Sequence, residues 1–280
     1  ARGLASRKTT TVGVVVSDVT RASVSKMIGG IMDVAKQYDY SIKIFSMHDE
    51  KNVFDFTRLV VAEQVDGVIF LNDELDSKQL STVKELLDDA SIPMILSNVV
   101  SDDESIPTVN IDFESASYEI TKNMISVGRK DIYLLSTVRR YSVNNLKEEG
   151  YIRAMEEVGL EPKIFRTSGD PEINSQHFRE FFSQHKVDGV IAVRDSIAVS
   201  FMNNAGDAGR RIPEDILVVG FQNTKYALLS RPTLTCIDTT VYDLGAVAMK
   251  LLTKYMKGET IEQSKVVLPH TVVYRSSMSK

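Results

Sequence analysis

The side chains best placed for chemistry stand near the two ends of this chain. Residues 1–8, Ala-Arg-Gly-Leu-Ala-Ser-Arg-Lys, gather Arg2, Arg7 and Lys8 around one large apolar residue, Leu4, just before the apolar run Val12–Val16. Cations there could neutralise phosphates, and a leucine could wedge between base steps of a minor groove. By composition alone the same stretch is an ordinary charged terminus. Toward the other end, Asp243, Lys250 and Lys254 lie seven and four residues apart, a spacing that places them on one helix face. Leu244, Val247, Ala248, Leu251, Leu252 and Tyr255 recur on another face, which should turn to the core. Two exposed lysines could meet a phosphoserine and nearby carboxylates; taken alone, they are what any solvated helix face shows.

Catalytic chemistry finds no foothold. His48, His177, His185 and His270 form no metal-ligand spacing with Cys, Asp or Glu. No G-x-S-x-G, P-loop or G-x-G-x-x-G occurs, and Ser136 and Asp195 are scattered polar residues at strand ends. The single cysteine, Cys236, lies in the apolar context Leu-Thr-Cys-Ile and reads as a small core residue. The expectation is a protein that is not an enzyme and uses neither metal nor cofactor. One cysteine allows no disulfide within the chain, which fits a reducing compartment. A net charge of −5 confines any nucleic-acid contact to a local patch. No apolar run approaches the ~20 residues of a membrane span, and the basic start lacks the apolar stretch of an export signal, so a cytoplasmic location is expected. A start at Ala1 without methionine suggests a fragment.

Between those ends, strand-like and helix-like segments alternate across 280 residues. Val12–Val16, Ser41–Phe45, Gly67–Leu71 and Pro93–Leu96 read as buried strands. Helical spacing links them over 21–38, 53–64 and 77–89, with Ser77 the expected N-cap and Tyr38 counted on the inward face. The pattern restarts with strands at Pro107–Ile111, Ile132–Ser136, Lys163–Arg166, Gly189–Val193 and Ile216–Gly220. Helices at 113–127, 144–158 and 196–208 end at Gly128, Gly159 and Gly209, and another runs over 174–185. Val-Asp-Gly-Val-Ile occurs at 65–69 and again at 187–191, an echo that points to two similar lobes. A strand at Leu234–Asp238, a helix over 241–257 and a strand over Val266–Tyr274 follow. The fold class is therefore α/β, with two doubly wound parallel-sheet lobes joined by crossing strands. The expected allotment is a linker at 1–10, an N-terminal lobe of 11–110 plus 239–264, and a C-terminal lobe of 111–238 plus 265–280.

Several short motifs then fall in one order: Ala1-Arg-Gly-Leu4-Ala, Lys8-Thr-Thr-Thr-Val-Gly13, Asp195-Ser-Ile-Ala198, Ile212-Pro213-Glu-Asp215-Ile, Val219-Gly220-Phe221-Gln-Asn223 and Arg231-Pro232-Thr-Leu234-Thr235. Together they resemble the lactose-repressor/galactose-repressor (LacI/GalR) family of transcription regulators, whose core has a periplasmic-binding-protein-like fold. The resemblance covers nearly the whole chain. It implies a homodimer that grips operator DNA through a hinge helix, with Arg2, Leu4, Ala5 and Arg7 in that role, and through a headpiece absent here. It also implies a cleft in which Lys147, Asp195 and Gln222 stand where other members bind sugars or purines. Arg21-Ala22-Ser23 brings no aromatic platform there, and Gln222 replaces an aspartate, so a free sugar finds little to stack on.

The stretch Tyr242–Met256 with Leu268-Pro269-His270 is similar to the members of this family that govern carbon catabolite repression. That similarity implies activation by the phosphocarrier HPr phosphorylated on serine, docked on Tyr242, Asp243, Met249, Lys250 and Lys254, with sugar phosphates as weak modulators. Those members often have arginine where Lys250 stands and a basic residue where Thr271 stands. A repressor core responding to a small sugar-like ligand, and an exported sugar-binding protein, are the alternatives.

Overall fold

In each half of the chain the first strand is buried on both faces, and helices cover it from either side. The computed structural model describes residues 10–47, 52–71, 73–259, 261 and 263–279. The first elements are β1 (Thr11–Val16), α1 (Ala22–Gln37), β2 (Ser41–Ser46), α2 (Val53–Ala62), β3 (Gly67–Phe70), α3 (Ser77–Asp89) and β4 (Met94–Ser97). Next come β5 (Thr108–Ile111), α4 (Phe113–Ser126), β6 (Ile132–Thr137), α5 (Ser142–Glu156), β7 (Lys163–Thr167), α6 (Pro171–Gln184) and β8 (Gly189–Ala192). The chain ends with α7 (Asp195–Asp207), β9 (Leu217–Phe221), α8 (Lys225–Leu229), β10 (Thr235–Asp238), α9 (Val241–Met256), β11 (Lys265–Leu268) and β12 (Thr271–Val273). No helix among the described residues is long and apolar enough to cross a membrane.

Two compact units result. The first holds the described residues up to Asn110 together with Val241–Leu268, and the second holds Ile111–Thr240 with the residues from Pro269 onward. The sheets have the same winding: β11-β5-β4-β3-β1-β2 in the first unit and β12-β10-β9-β8-β6-β7 in the second. In the first, Val14 pairs with Ile44 on one side and Ile69 on the other; in the second, Leu134 pairs with Ile164 and Ile191, all in parallel. Fully buried strands such as β3, β4, β6 and β8 are what a parallel sheet under two helix layers requires.

The repeated Val-Asp-Gly-Val-Ile has one structural job in both units. Asp66 accepts from the Thr11 amide at 3.1 Å and donates its own amide to the Thr11 carbonyl at 2.8 Å. Asp188 accepts from the Lys130 and Asp131 amides and donates to the Asp131 carbonyl at 3.0 Å. Each aspartate thus sets the start of one strand against its neighbour. The glycine that follows leaves room for a helix: a Cβ on Gly67 would lie 2.9 Å from Leu252, and one on Gly189 3.2 Å from Met124.

Several sequence expectations need correction. The strand expected over Val266–Tyr274 is two strands in different sheets, β11 beside β5 and β12 antiparallel to β10, separated by Pro269 and His270. Proline has no amide to donate to a ladder. Residues 265–268 therefore belong with the first unit, and 239–240 with the second, the reverse of the expected allotment. The cap of α3 is Asp76, not Ser77: its carboxylate accepts from the Gln79 amide at 2.8 Å, and the Gln79 side chain returns the bond at 3.0 Å. Tyr38 lies past the end of α1 and is 42% exposed. The short helix α8 has no counterpart in the periodicity.

Candidate functional site

On α9 the helical phase separates two faces sharply. Leu244, Ala248, Leu251 and Leu252 are buried, with Val247 and Tyr255 half-buried, while Tyr242, Asp243, Lys250 and Lys254 stand exposed. The helix is pinned against α1 by two glycines. A Cβ on Gly30 would fall 2.1 Å from the Tyr242 carbonyl oxygen, and one on Gly245 2.0 Å from that of Met27, so the two backbones touch directly. The Tyr242 hydroxyl donates to Asp33 Oδ2 at 2.6 Å across the same pair, and that bond, with some burial, raises the tyrosine pKa above its usual range. Met249 does not share the exposed face. It is fully buried, because it follows Gly245 by one helical turn and so lies on the side facing the core. It is a packing residue and cannot contact a partner.

The second cluster lies at the carboxyl ends of the strands of the second unit. Lys147 is 2% exposed on the buried face of α5. Its ammonium sits 5.2 Å from the Phe113 ring centre and 4.7 Å from that of Phe221, and donates to Asn144 Oδ1 at 3.3 Å and the Val193 carbonyl at 3.2 Å. Two aromatic faces and a carbonyl offset part of the cost of burying that cation.

Asp195 opens α7 and is 1% exposed. Its Oδ2 accepts from the Thr224 amide and hydroxyl at 2.5 and 2.9 Å, and its Oδ1 from the Cys236 thiol at 3.2 Å. Burial pushes its pKa up to about 6 despite these bonds; burial and the adjacent carboxylate raise the Cys236 thiol strongly. Gly220 must be glycine beside it, because a Cβ there would lie 2.5 Å from Asp195 Oδ1. Asp195 is therefore a latch tying α7 to the loop after β9, and it does not line an opening. Gln222 is half-buried, with φ of 101°, and donates its amide to the Ile237 carbonyl at 2.9 Å. Lys147 meets Phe221, one residue before Gln222, and Val193, two before Asp195, so the three expected residues share one neighbourhood.

Other residues there were not singled out by the sequence. Glu148, 6% exposed, is held by Arg166 through both guanidinium nitrogens at 2.8 and 2.7 Å and by the Ser136 hydroxyl at 2.6 Å. Burial would raise its pKa, but the Arg166 and Ser136 bonds outweigh it and hold the carboxyl below its usual range. Arg275 joins Leu234 and Asn223, and Asn223 joins Asp238. One signal was available for Glu148: Asn144, Lys147 and Glu148 fall on the same helical phase as the buried Val143, Tyr151 and Ala154, so polar side chains occupy core positions. Arg2, Leu4, Ala5 and Arg7, expected to form a hinge, lie outside the described residues, as does His48. Among the described residues, no three His, Cys, Asp or Glu side chains are placed to hold a metal ion.

Comparison with known proteins follows the same lines. Residues 121–278 match the family of periplasmic binding protein-like domains. The chain is 34% identical to catabolite control protein A of Priestia megaterium over 99% of its own length and 84% of that protein's. It is equally similar, at 34% identity with the same coverage, to catabolite control protein A of Staphylococcus aureus (strain Mu50). The crystal structure of the transcription regulator CcpA of Lactococcus lactis superposes with a TM-score of 0.84 at 29% identity, over 96% of this chain and 99% of that one.

Proposed function

This chain belongs to the LacI/GalR family of transcription regulators, as a relative of catabolite control protein A, and from that premise we propose that it is the effector-responsive core of a regulator of carbon-source genes, activated by serine-phosphorylated HPr docked on α9. One observation carries this reading. The lysines at 250 and 254 and Asp243 are presented together on the exposed face of α9, while its opposite face is fixed to α1 by backbone contact at Gly30 and Gly245. Two lysines on one face of a helix whose backbone is held in place suit a phosphoserine, which brings about two negative charges and three acceptor oxygens. Lysine meets a phosphate as a point charge, without the fork of arginine. Tyr242, braced by Asp33, forms the neighbouring part of the surface.

Within the same reading the basic arm contacts the operator. Arg2 and Arg7 meet phosphates, Leu4 is the wedge, and Ala5 belongs to the same operator contact. The protein acts as a homodimer, and sugar phosphates modulate it through the second unit.

Calorimetric titration with serine-phosphorylated and unphosphorylated HPr tests the docking. The phosphorylated carrier is expected to bind at least ~10-fold more tightly. Lys254→Glu is expected to weaken that binding by about 10- to 100-fold, since a charged hydrogen bond becomes a like-charge contact. Lys250→Arg is expected to keep or tighten it. Equal affinity for both forms of the carrier, or an unaffected Lys254→Glu protein, would remove the docking site.

A further inference from the structure

Two exposed tyrosines join α1 to α9. Tyr242 of α9 reaches Asp33 of α1, and Tyr38 of α1 lies beneath Lys257, whose ammonium is 5.0 Å from the centre of its ring. Tyr38 and Lys257 hold the same position in their own helices. The Tyr40 amide donates to the Ala35 carbonyl at 3.0 Å and the Asp39 amide to that of Lys36 at 3.4 Å. The Glu259 amide donates to the Lys254 carbonyl at 3.1 Å and the Gly258 amide to that of Tyr255 at 2.9 Å. Asp39 and Gly258 have φ of 59° and 71°. Each helix thus stops in a Schellman motif, with Tyr38 and Lys257 as the residues just before the left-handed turn. Two hydrogen-bonded helix ends therefore fix the backbones from which ring and ammonium meet.

Lys257 also continues a stripe. It follows Lys250 and Lys254 by seven and three residues, so the three lie along one side of the helix, with Lys257 ~4.5 Å further along the axis than Lys254. All three are exposed. The one acidic residue of α9, Asp243, lies two turns from Lys250 in the other direction. In a chain of net charge −5 the stripe is a local excess of positive charge. A lysine at the end of a helix also answers the helix dipole, but that explains neither the turn of its ammonium to Tyr38 nor a tyrosine left 42% exposed. A ring under the ammonium restrains a side chain that is otherwise long and mobile, so less entropy is lost when a partner meets it.

We propose that Lys257, held by Tyr38, is a further docking residue of this face, and that it meets a carboxylate on the carrier protein beside the phosphoserine. The proposal rests on the reading that the carrier docks on α9. In that reading Lys250 and Lys254 are taken up by the phosphoserine, which leaves Lys257, about one turn on, to face the protein surface around it. A compact ammonium pairs with a carboxylate as it does with a phosphate. Lys257 thus adds affinity that does not depend on phosphorylation, whereas Lys254 sets the preference for the phosphorylated form. Tyr38 is a positioning residue, acting through Lys257.

Calorimetric titrations with serine-phosphorylated and unphosphorylated HPr test this. Lys257→Gln is expected to weaken binding of both forms by the same factor, about 3-fold, as suits one exposed ion pair, and the loss should shrink at high salt. Tyr38→Ala should show a loss of the same kind, and Tyr38→Phe should keep wild-type affinity because the ring face is retained. Tyr38→Ala combined with Lys257→Gln should lose no more than Lys257→Gln alone. Lys254→Glu should instead narrow the gap between the two forms of the carrier. Unchanged affinity in Lys257→Gln beside a weakened Lys254→Glu would overturn the role of Lys257 and leave the carrier site standing; no binding of either form to the wild type would overturn both. A loss in Lys257→Gln confined to the phosphorylated form would make it a phosphate ligand and overturn the division of roles. If Tyr38→Ala does not fold, the exposed Lys257 still gives the answer.

Discussion

At the scale of single residues, the second unit is defined by charge that the fold has buried and then satisfied. Asp195 is the sharpest case. Its folded pKa of about 6 lies above the unfolded value near 3.8, so the folded state holds its proton more tightly. The stabilisation this brings is fully present below about pH 4 and is lost as the pH rises through 6. Two pKa units correspond to about 3 kcal/mol. Denaturant unfolding of the wild type and Asp195→Asn should therefore diverge in favour of the variant between pH 4 and 6; a constant difference across that range would contradict the assignment. Gly220→Ala probes the same latch from the other side. Its Cβ would sit 2.5 Å from Asp195 Oδ1 and 2.9 Å from Leu234, and over-packing of this kind costs ~1–3 kcal/mol. Asp195 and Gln222 could be picked out in the sequence, but their roles could not. That a carboxylate faces a thiol and a threonine is decided by β9 and β10 lying beside α7, and no local spacing encodes it.

At the scale of elements, glycines separate two kinds of helix contact. Gly30 and Gly245 bring α1 and α9 to backbone distance, and Gly150 does the same for α5 against the Glu114 carbonyl of α4, at 2.0 Å from an added Cβ. Gly29 has nothing within 4 Å. Adjacent substitutions in α1 should then have opposite signs. Gly29→Ala is expected to raise the unfolding midpoint, by up to ~1 kcal/mol of helix propensity. Gly30→Ala should lower it by ~3 kcal/mol, at the upper end for over-packing, and displace the face of α9 that carries Lys250 and Lys254. Thermal unfolding of the pair measures both, and a shared sign would refute the backbone contact. Helix existence and the inward faces were legible here, because a 3.6-residue apolar period survives in sequence. Met249 was misplaced because its role came from resemblance, while its phase already pointed inward.

At the scale of the whole molecule, two units of the same winding are built from one chain that passes between them at 110–111, 240–241 and 268–269. The last passage is marked by Pro269, which ends one ladder before the next begins. Regulators of this family act on operators through paired subunits, and a symmetric pair buries the same patch on both copies. Sedimentation at micromolar concentration is expected to give a homodimer; a monomer throughout would contradict the regulator reading at this level.

Local order is what the linear chain determined unaided: alternating strands and helices, glycine stops, the Val-Asp-Gly echo and the lysine face of α9. These depend on neighbours a few residues apart, and periodicity records them. The tertiary structure alone decided which sheet received β11, why Asp195 is a latch, and that Arg194 lies over the ring of Tyr141. Those outcomes depend on strands that are distant in sequence ending side by side, and the free energy that selects them is released only when the sheets close.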